Sequence, residues 1–276
     1  MYEQYWQLKE KPFQNTPDPR YLYLSGQHED ALMKLSYAVT QNMGCGMLVG
    51  VFGCGKTLLA NALLNDLGRE RVRFAFITSP ASLEAPELLR AVVRGLSPQA
   101  LPDKKSDLLA DPLLEKLNTI LVDNARDGKE NIVIIDETHT IEDPRSFEQL
   151  RQILNFQSEN KFLLTLLLFG QPELKEKVEN NKPLDQRVAM RCFLSPLGED
   201  DVDKYIRHRL KVAGRPESAE PIFDKEALKA IVKYSAGIPR RVNTLCDLVL
   251  MTGFAQKAQK AEPELISSVI KDFNLS

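Results

Sequence analysis

The stretch Gly50-Val51-Phe52-Gly53-Cys54-Gly55-Lys56-Thr57 reads G-x-x-x-x-G-K-[ST], and no other segment limits the fold as strongly. Its glycines let successive backbone N–H groups turn inward as a nest for anionic phosphate oxygens. Lys56 brings a positive charge to the β- and γ-phosphates, and the Thr57 hydroxyl is a hard oxygen donor for Mg²⁺. Gly50, Gly53, Cys54, Gly55, Lys56, Thr57 and Leu58 are therefore the expected nucleotide-binding residues. The flanks agree: Met47-Leu48-Val49 is a short apolar run, and Leu58 to Leu64 has helical character. Strand, loop and helix follow in order, with the helix N-terminus aimed at the phosphates. A chance glycine loop would lack these flanks. The pattern predicts a nucleoside triphosphate site.

A second constellation lies about eighty residues downstream. Ile132-Val133-Ile134-Ile135-Asp136-Glu137 is four apolar residues ending in two carboxylates. At the C-terminal end of a strand Asp136 is expected to hold Mg²⁺, mostly through water, and Glu137 to act as general base on the attacking water. The bland alternative is a strand running into an acidic loop. The next residues complete the string D-E-T-H, but nothing else of a helicase is present, so His139 reads as a loop residue.

Three further segments carry candidates. Gln171 follows the apolar run Leu163–Phe169 and is the candidate sensor of the γ-phosphate or lytic water; a proline-led turn is the competing reading. Arg187 and Arg191, in Leu184-Asp185-Gln186-Arg187-Val188-Ala189-Met190-Arg191, are candidates to stabilise the transferring phosphoryl group of a neighbouring subunit, Arg187 ahead of Arg191. Either could instead make a structural ion pair. Arg240, in Gly237-Ile238-Pro239-Arg240, sits where Gly237 stops one helix and Pro239 opens the next, placed to reach back over the nucleotide.

Alternation of these strands with helices (about 27–41, 85–96, 112–127 and 146–158) predicts an α/β fold with a parallel sheet and right-handed crossovers. The strands themselves are expected at about 73–78, 131–135 and 163–169. Beyond Ser195 only helical spacing remains. Two domains are expected: a nucleotide-binding core over 1–195, with residues 1–26 running irregularly over it, and a small helical lid over 196–276. Composition narrows the partners. The net charge is −2, and from Pro196 onward 12 acidic face 13 basic residues, so no basic module points to nucleic acid. The four cysteines are scattered, without metal-ligand spacing, and read as reduced, mainly buried thiols of a cytoplasmic protein. The start, Met1 to Trp6, lacks the basic and then apolar run of a signal peptide. The longest apolar run, Phe162 to Phe169, is too short to span a bilayer.

Taken in this order, the four motifs resemble the AAA+ ATPases, a three-layer P-loop sandwich followed by a helical lid. Within that class the chain is similar to the ExeA/GspA-type ATPases of the general secretion pathway and their relatives in pilus and exopolysaccharide export clusters. The resemblance covers nearly the whole chain. It rests on Tyr5-Trp6-Gln7-Leu8-Lys9-Glu10-Lys11-Pro12-Phe13, Pro17-Asp18-Pro19-Arg20-Tyr21-Leu22-Tyr23, His28-Glu29-Asp30-Ala31-Leu32, Leu150-Arg151 with Asn155-Phe156, Gly170-Gln171-Pro172-Glu173-Leu174, and Gly237-Ile238-Pro239-Arg240. It implies a sensor role for Arg240 and an adenine pocket formed around Pro12, Phe13 and Tyr23. It also implies ATP and Mg²⁺ as ligands, a homo-oligomer (ring or spiral), and a membrane-associated secretion or export component as partner. The P-loop departs from the family's G-E-V-G-T-G-K-T at Val51, Phe52 and Cys54, positions that contribute mainly backbone. Longer family members continue beyond the lid into a membrane anchor and a periplasmic peptidoglycan-binding module.

The competing class is a DNA-associated AAA+ regulator of the transposition-helper or replication-initiator kind, which shares the core and the lid arginine. The lack of a winged-helix tail and of a basic patch weighs against DNA as the partner. A metabolite kinase or GTPase fits less well, since no guanine-reading N-K-x-D string occurs.

Overall fold

The computed structural model describes residues 1–99, 110–158 and 161–274. The chain forms two compact units. One, the α/β unit, holds Gly26–Phe52 and Leu59–Leu194; the other holds Met1–Ser25, Gly53–Leu58 and Ser195 onward.

In the α/β unit, helix α1 (Gly26–Thr40) leads into strand β1 (Cys45–Gly50), and helix α2 (Lys56–Asp66) into β2 (Val72–Ile77). Helices α3 (Ala85–Leu96) and α4 (Ala110–Arg126) precede β3 (Glu130–Ile135); α5 (Pro144–Ile153) is followed by the short antiparallel pair β4 (Gln157–Ser158) and β5 (Lys161–Phe162). Then come β6 (Thr165–Gly170), α6 (Glu173–Asn180), α7 (Lys182–Asp185) and β7 (Val188–Leu194). Five strands form one sheet in the order β2-β3-β6-β1-β7, every pairing parallel. The expected α/β class and parallel sheet are what the chain adopts.

The reason is burial on both faces. Every residue of β1 and β6, and five of the six in β3, is buried, as parallel strands covered by helices require. Side chains alternate across each strand. Met47, Val49, Val133, Ile135, Leu166 and Leu168 therefore form a core with Leu88, Leu89, Leu113, Leu117, Phe147 and Leu150 of α3, α4 and α5. On the other face Leu48, Ile132, Ile134, Leu167 and Phe169 are fully inaccessible.

Two local expectations differ from the structure. The helix expected to reach Ser158 ends at Ile153, capped by the Leu154 N–H donating to Arg151 and Gln152 carbonyls, and the chain turns back in the β4–β5 pair. The edge strand β7 was not foreseen. Its burial alternates only in part, Val188, Cys192 and Leu194 being buried and Ala189 and Phe193 exposed, which is an edge-strand pattern of period 2.

The helical unit contains α8 (Glu199–Val212), α9 (Lys225–Ser235), α10 (Pro239–Ala255) and α11 (Pro263–Asp272). Its core includes residues from the start of the chain. Tyr2, Trp6, Leu8, Phe13 and Tyr21 are buried with Val202, Ile206, Leu245 and Val249, and the irregular first 25 residues group with this unit. The Trp6 indole N–H donates to the Leu250 carbonyl at 2.8 Å. Arg209, only 4% exposed, donates from Nε to the Pro12 carbonyl (2.6 Å), from Nη2 to the Gln14 carbonyl (2.8 Å) and from Nη1 to the Tyr205 hydroxyl (2.8 Å). Its guanidinium also lies over the Tyr21 ring, 4.7 Å from the centroid. One side chain thus ties an extended segment to α8.

All four cysteines are free and buried, and burial pushes the Cys45 thiol up to about 12. Among the described residues no helix is long and apolar enough to cross a membrane.

Candidate functional site

Four of the sequence candidates gather at one edge of the α/β unit. β1 and β3 lie on either side of β6. Gly50 ends β1, Asp136 and Glu137 follow β3, and Gln171 follows β6. With neighbouring strands about 4.8 Å apart, the carboxylate pair lies about 10 Å, two strands, from the strand that opens the P-loop. This is the carboxyl edge of a parallel sheet, where such folds bind ligands.

Asp136 is buried, at 3% exposure. Its N–H donates to the Ile77 carbonyl at 2.8 Å, and its Oδ1 accepts from the Glu137 N–H at 2.9 Å. Glu137 has φ +53° and ψ 33°, a left-handed conformation that costs a non-glycine residue about 1–3 kcal/mol. Three bonds hold it there. The Thr138 hydroxyl donates to the Ile135 carbonyl, the Thr140 hydroxyl to the Glu137 carbonyl, both at 2.7 Å, and the Thr140 N–H to the same carbonyl at 2.9 Å. Strain of this kind collects where a side chain must be aimed. Sequence reasoning missed the next participant. His139 sits in the short turn Thr138–Thr140 with Nε2 3.5 Å from Glu137 Oε2, and its Nδ1 accepts the Gln171 N–H at 3.3 Å. The string D-E-T-H was the available signal.

Other candidates lie in the helical unit, which includes Gly53–Leu58. Gly53 and Gly55 have φ of +83° and +98°, so the turn needs residues without a Cβ. Contact demands the same: a Cβ on Gly53 would lie 2.8 Å from Arg240 Cβ and 3.2 Å from Ile238 Cγ2. The Arg240 N–H donates to the Gly53 carbonyl at 3.3 Å. Arg240 is the second residue of α10, behind Pro239 and the cap residue Ile238. That helix start is fixed by Gly237, at φ +74°, where an added Cβ would meet the Leu197 carbonyl oxygen at 2.0 Å. The structure thus brings Arg240 directly against the P-loop turn. Lys56 and Thr57 open α2, Lys56 with 4% exposure and Cys54 with 1%. The N-terminus of an eleven-residue helix and a turn of left-handed glycines together suit phosphate.

Pro12 and Phe13 are both buried. Phe13 packs edge-on against Phe223, ring centroids 6.5 Å apart, and the Pro12 carbonyl is taken by Arg209. The two arginines ahead of α8 differ. Arg191 is ion-paired with Asp185 at 2.8 Å and also donates to its carbonyl at 3.1 Å. Arg187 donates to the Asn155 side chain at 3.2 Å and lies over the Phe162 ring, 5.9 Å from its centroid. Among the described residues it has no carboxylate partner. Nor is there, among these residues, a cluster of three or more His, Cys, Asp or Glu able to cage a metal ion. A threonine hydroxyl such as that of Thr57 and a carboxylate such as that of Asp136 are each the kind of hard oxygen donor that Mg²⁺ takes, with water and phosphates supplying its other ligands.

A family model described as an AAA domain matches residues 39–178. The chain belongs to the AAA domain family. Beyond the domain itself, General secretion pathway protein A of Aeromonas hydrophila is 38% identical over 263 residues, 94% of this chain and 46% of the relative. The chain therefore spans about half the length of that curated protein. Solved structures share the fold at low identity. Aeropyrum pernix ORC2 protein, solved as ADPNP–ADP complexes, has TM-score 0.70 at 15% identity, covering 95% of this chain and 71% of that one. Cdc6p of Pyrobaculum aerophilum has 0.71 at 16% identity, covering 95% and 70%. The Thermotoga maritima RuvB Holliday junction branch migration motor has 0.59 at 17%, covering 90% and 70%.

Proposed function

We propose that the chain is an ATP-binding and ATP-hydrolysing AAA+ protein. It assembles with copies of itself and works from the cytoplasm on a membrane-associated secretion or export system. One observation carries the chemical part. The P-loop strand and the Asp136-Glu137 strand flank β6, and Glu137 is held in a strained conformation at that edge. In this reading the glycine turn and Lys56 bind the phosphates, and Arg240 contacts them from α10. Thr57 and Asp136 would hold Mg²⁺, which when bound neutralises phosphate charge. Glu137 accepts a proton from the attacking water, and Gln171 positions it. Pro12 and Phe13, both buried, serve the adenine through the segment they anchor. Residues 196–276 act as the lid. The secretion part rests on the sequence similarity alone.

Strand geometry supports Arg187 as a trans-acting group. It precedes β7, whose Val188 pairs with Cys45, the first residue of β1, whereas the P-loop leaves β1 after Gly50. At about 3.3 Å per residue these ends are about 16 Å apart. Arg187 thus lies far from the P-loop strand's exit in its own chain, while a neighbouring copy can receive it. Arg191, held by Asp185, is the weaker candidate.

Nucleotide binding and phosphate release test the reading. Lys56→Ala is expected to abolish binding of ATP, and Glu137→Gln to retain binding while losing about 10²- to 10⁴-fold in turnover. Wild-type turnover in Glu137→Gln removes Glu137 as the base. Mixing Lys56→Ala with Arg187→Ala protein should restore part of the activity, because an intact P-loop then meets an intact arginine. Demonstrated co-assembly without recovery removes Arg187.

A further inference from the structure

The geometry points to His139 as a positioning residue that couples the Glu137 carboxylate to the backbone of the loop after β6. This inference rests on the ATPase reading above, and nothing in that reading uses the imidazole.

The ring is largely enclosed, at 12% side-chain exposure, and touches two segments that the sheet brings to one edge. Nδ1 accepts the Gln171 N–H at 3.3 Å. An imidazole nitrogen that accepts carries no proton, so the neutral ring holds its proton on Nε2. Nε2 is the nitrogen that lies 3.5 Å from Glu137 Oε2. The ring therefore turns a donor toward the carboxylate and an acceptor toward the β6 loop.

The backbone beneath the ring is pinned. Lys177 Nζ, from α6, donates to the His139 carbonyl at 2.5 Å and to the Ile141 carbonyl at 2.7 Å. Thr138 and Thr140 bond to the chain on either side, as described above. With that anchor, the orientation of the ring follows the Gln171 N–H, and the carboxylate follows the ring. A separation of 3.5 Å lies at the long limit of a hydrogen bond, where a few tenths of an ångström decide whether it forms. Movement of the β6 loop, which carries the candidate γ-phosphate sensor, would thus tighten or release the hold on Glu137. His139 transfers no proton in this scheme; it sets where the base points.

Three substitutions separate positioning from mere packing. An asparagine Oδ1 can replace Nδ1 as acceptor, and a glutamine Nε2 can replace the donor facing Glu137. His139→Ala and His139→Asn are expected to lower kcat between about tenfold and about 10²-fold, at or below the low end of the about 10²- to 10⁴-fold that a positioned acid or base itself contributes. KM for ATP, nucleotide affinity and Tm should stay near wild type. His139→Gln should recover most of kcat. In the Glu137→Gln background His139→Ala should lower the residual rate no further, since the two act as one unit. The inference is overturned if His139→Ala keeps wild-type kcat, if all three variants lose Tm and kcat together, or if the losses at His139 and Glu137 multiply independently. A second readout needs no turnover. The chain has three histidines, so histidine-selective ¹⁵N spectra can assign the His139 tautomer, expected to be Nε2–H; an Nδ1–H tautomer overturns the coupling. If wild-type protein neither binds nor hydrolyses ATP, the ATPase reading fails, and the spectra still judge the His139 geometry.

Discussion

In the α/β unit the central strands are short, mainly apolar runs, and their partners lie within the 26–194 span. In the helical unit the decisive contacts join chain segments far apart: Trp6 bonds to a residue 244 positions away, and Arg209 to one 197 away. The first unit is held by a repeated local pattern. The second depends on a few large side chains from an irregular segment, set among four helices. Regular periodicity distributes stability over many residues, whereas a segment without hydrogen-bonded regularity concentrates it in its anchors.

The sharpest way to break this contrast is Trp6→Ala. Removing a buried aromatic costs about 3–5 kcal/mol, and here the Leu250 carbonyl also loses its donor. Amide exchange of α10 should quicken strongly while that of β3 stays protected. Because Gly53–Leu58 belongs to the same unit, ATP affinity should fall with it. Equal loss of protection in β3 and α10 would show that the two units unfold as one.

A smaller effect is expected within the sheet. Asn131, 3% exposed, donates to the Leu121 carbonyl at 3.1 Å and the Leu163 carbonyl at 2.9 Å, and accepts from Asn124 at 2.7 Å. Asn131→Leu removes three hydrogen bonds and takes from the Asn124 amide its Asn131 acceptor, at a cost of about 1–3 kcal/mol. Urea titration followed by β3 amide exchange should show the loss there, with α10 unchanged. A neutral result would mean that the sheet tolerates lost polar anchors that the helical unit would not.

What the sequence disclosed follows the same division. Runs such as Asn131–Ile135 and Leu163–Phe169 announce buried parallel strands because apolarity on both faces leaves no polar residue to hide them. The P-loop, the Asp136-Glu137 pair and the Gly237–Arg240 turn were legible because each demands particular residue types at fixed spacing. β7 is hard to read because one face of an edge strand is open: Arg191 breaks its apolar run, and Phe193, apolar yet exposed, masks the alternation. The role of residues 1–25 was hidden for another reason. Which unit an irregular aromatic segment joins is decided by partners such as Leu250 and Arg209, and no local period encodes them. His139 was discounted because a helicase reading was the only context its string supplied; its partner, the Gln171 N–H, is a backbone group that no side-chain pattern can reveal.

The smallest expected effect sharpens the comparison from the helical side, through pH. His208 of α8 has a buried Nε2 without a hydrogen-bond partner among the described residues, and its ring lies against Tyr23, centroids 6.0 Å apart. Burial lowers its pKa below the ordinary histidine value of 6.5, with the Arg209 and Lys211 cations acting in the same direction and the Arg20 backbone opposing. The folded protein therefore holds the ring neutral at a pH where the unfolded chain has already taken up a proton. Its contribution is complete above the unfolded value and is lost as pH falls from there through the depressed folded value. One proton sets a ceiling of about 1.4 kcal/mol per pH unit on the slope, and partial exposure reduces it. Amide exchange of α10 compared at about pH 7.5 and about pH 5.5 should show weaker protection at the lower pH, and His208→Leu should flatten part of that difference. β3 amides should give the same difference in both proteins. If His208→Leu leaves the α10 difference intact, the acid sensitivity of the helical unit comes from other groups. The unpartnered Nε2 would then be only a packing defect that the surrounding aromatic anchors tolerate.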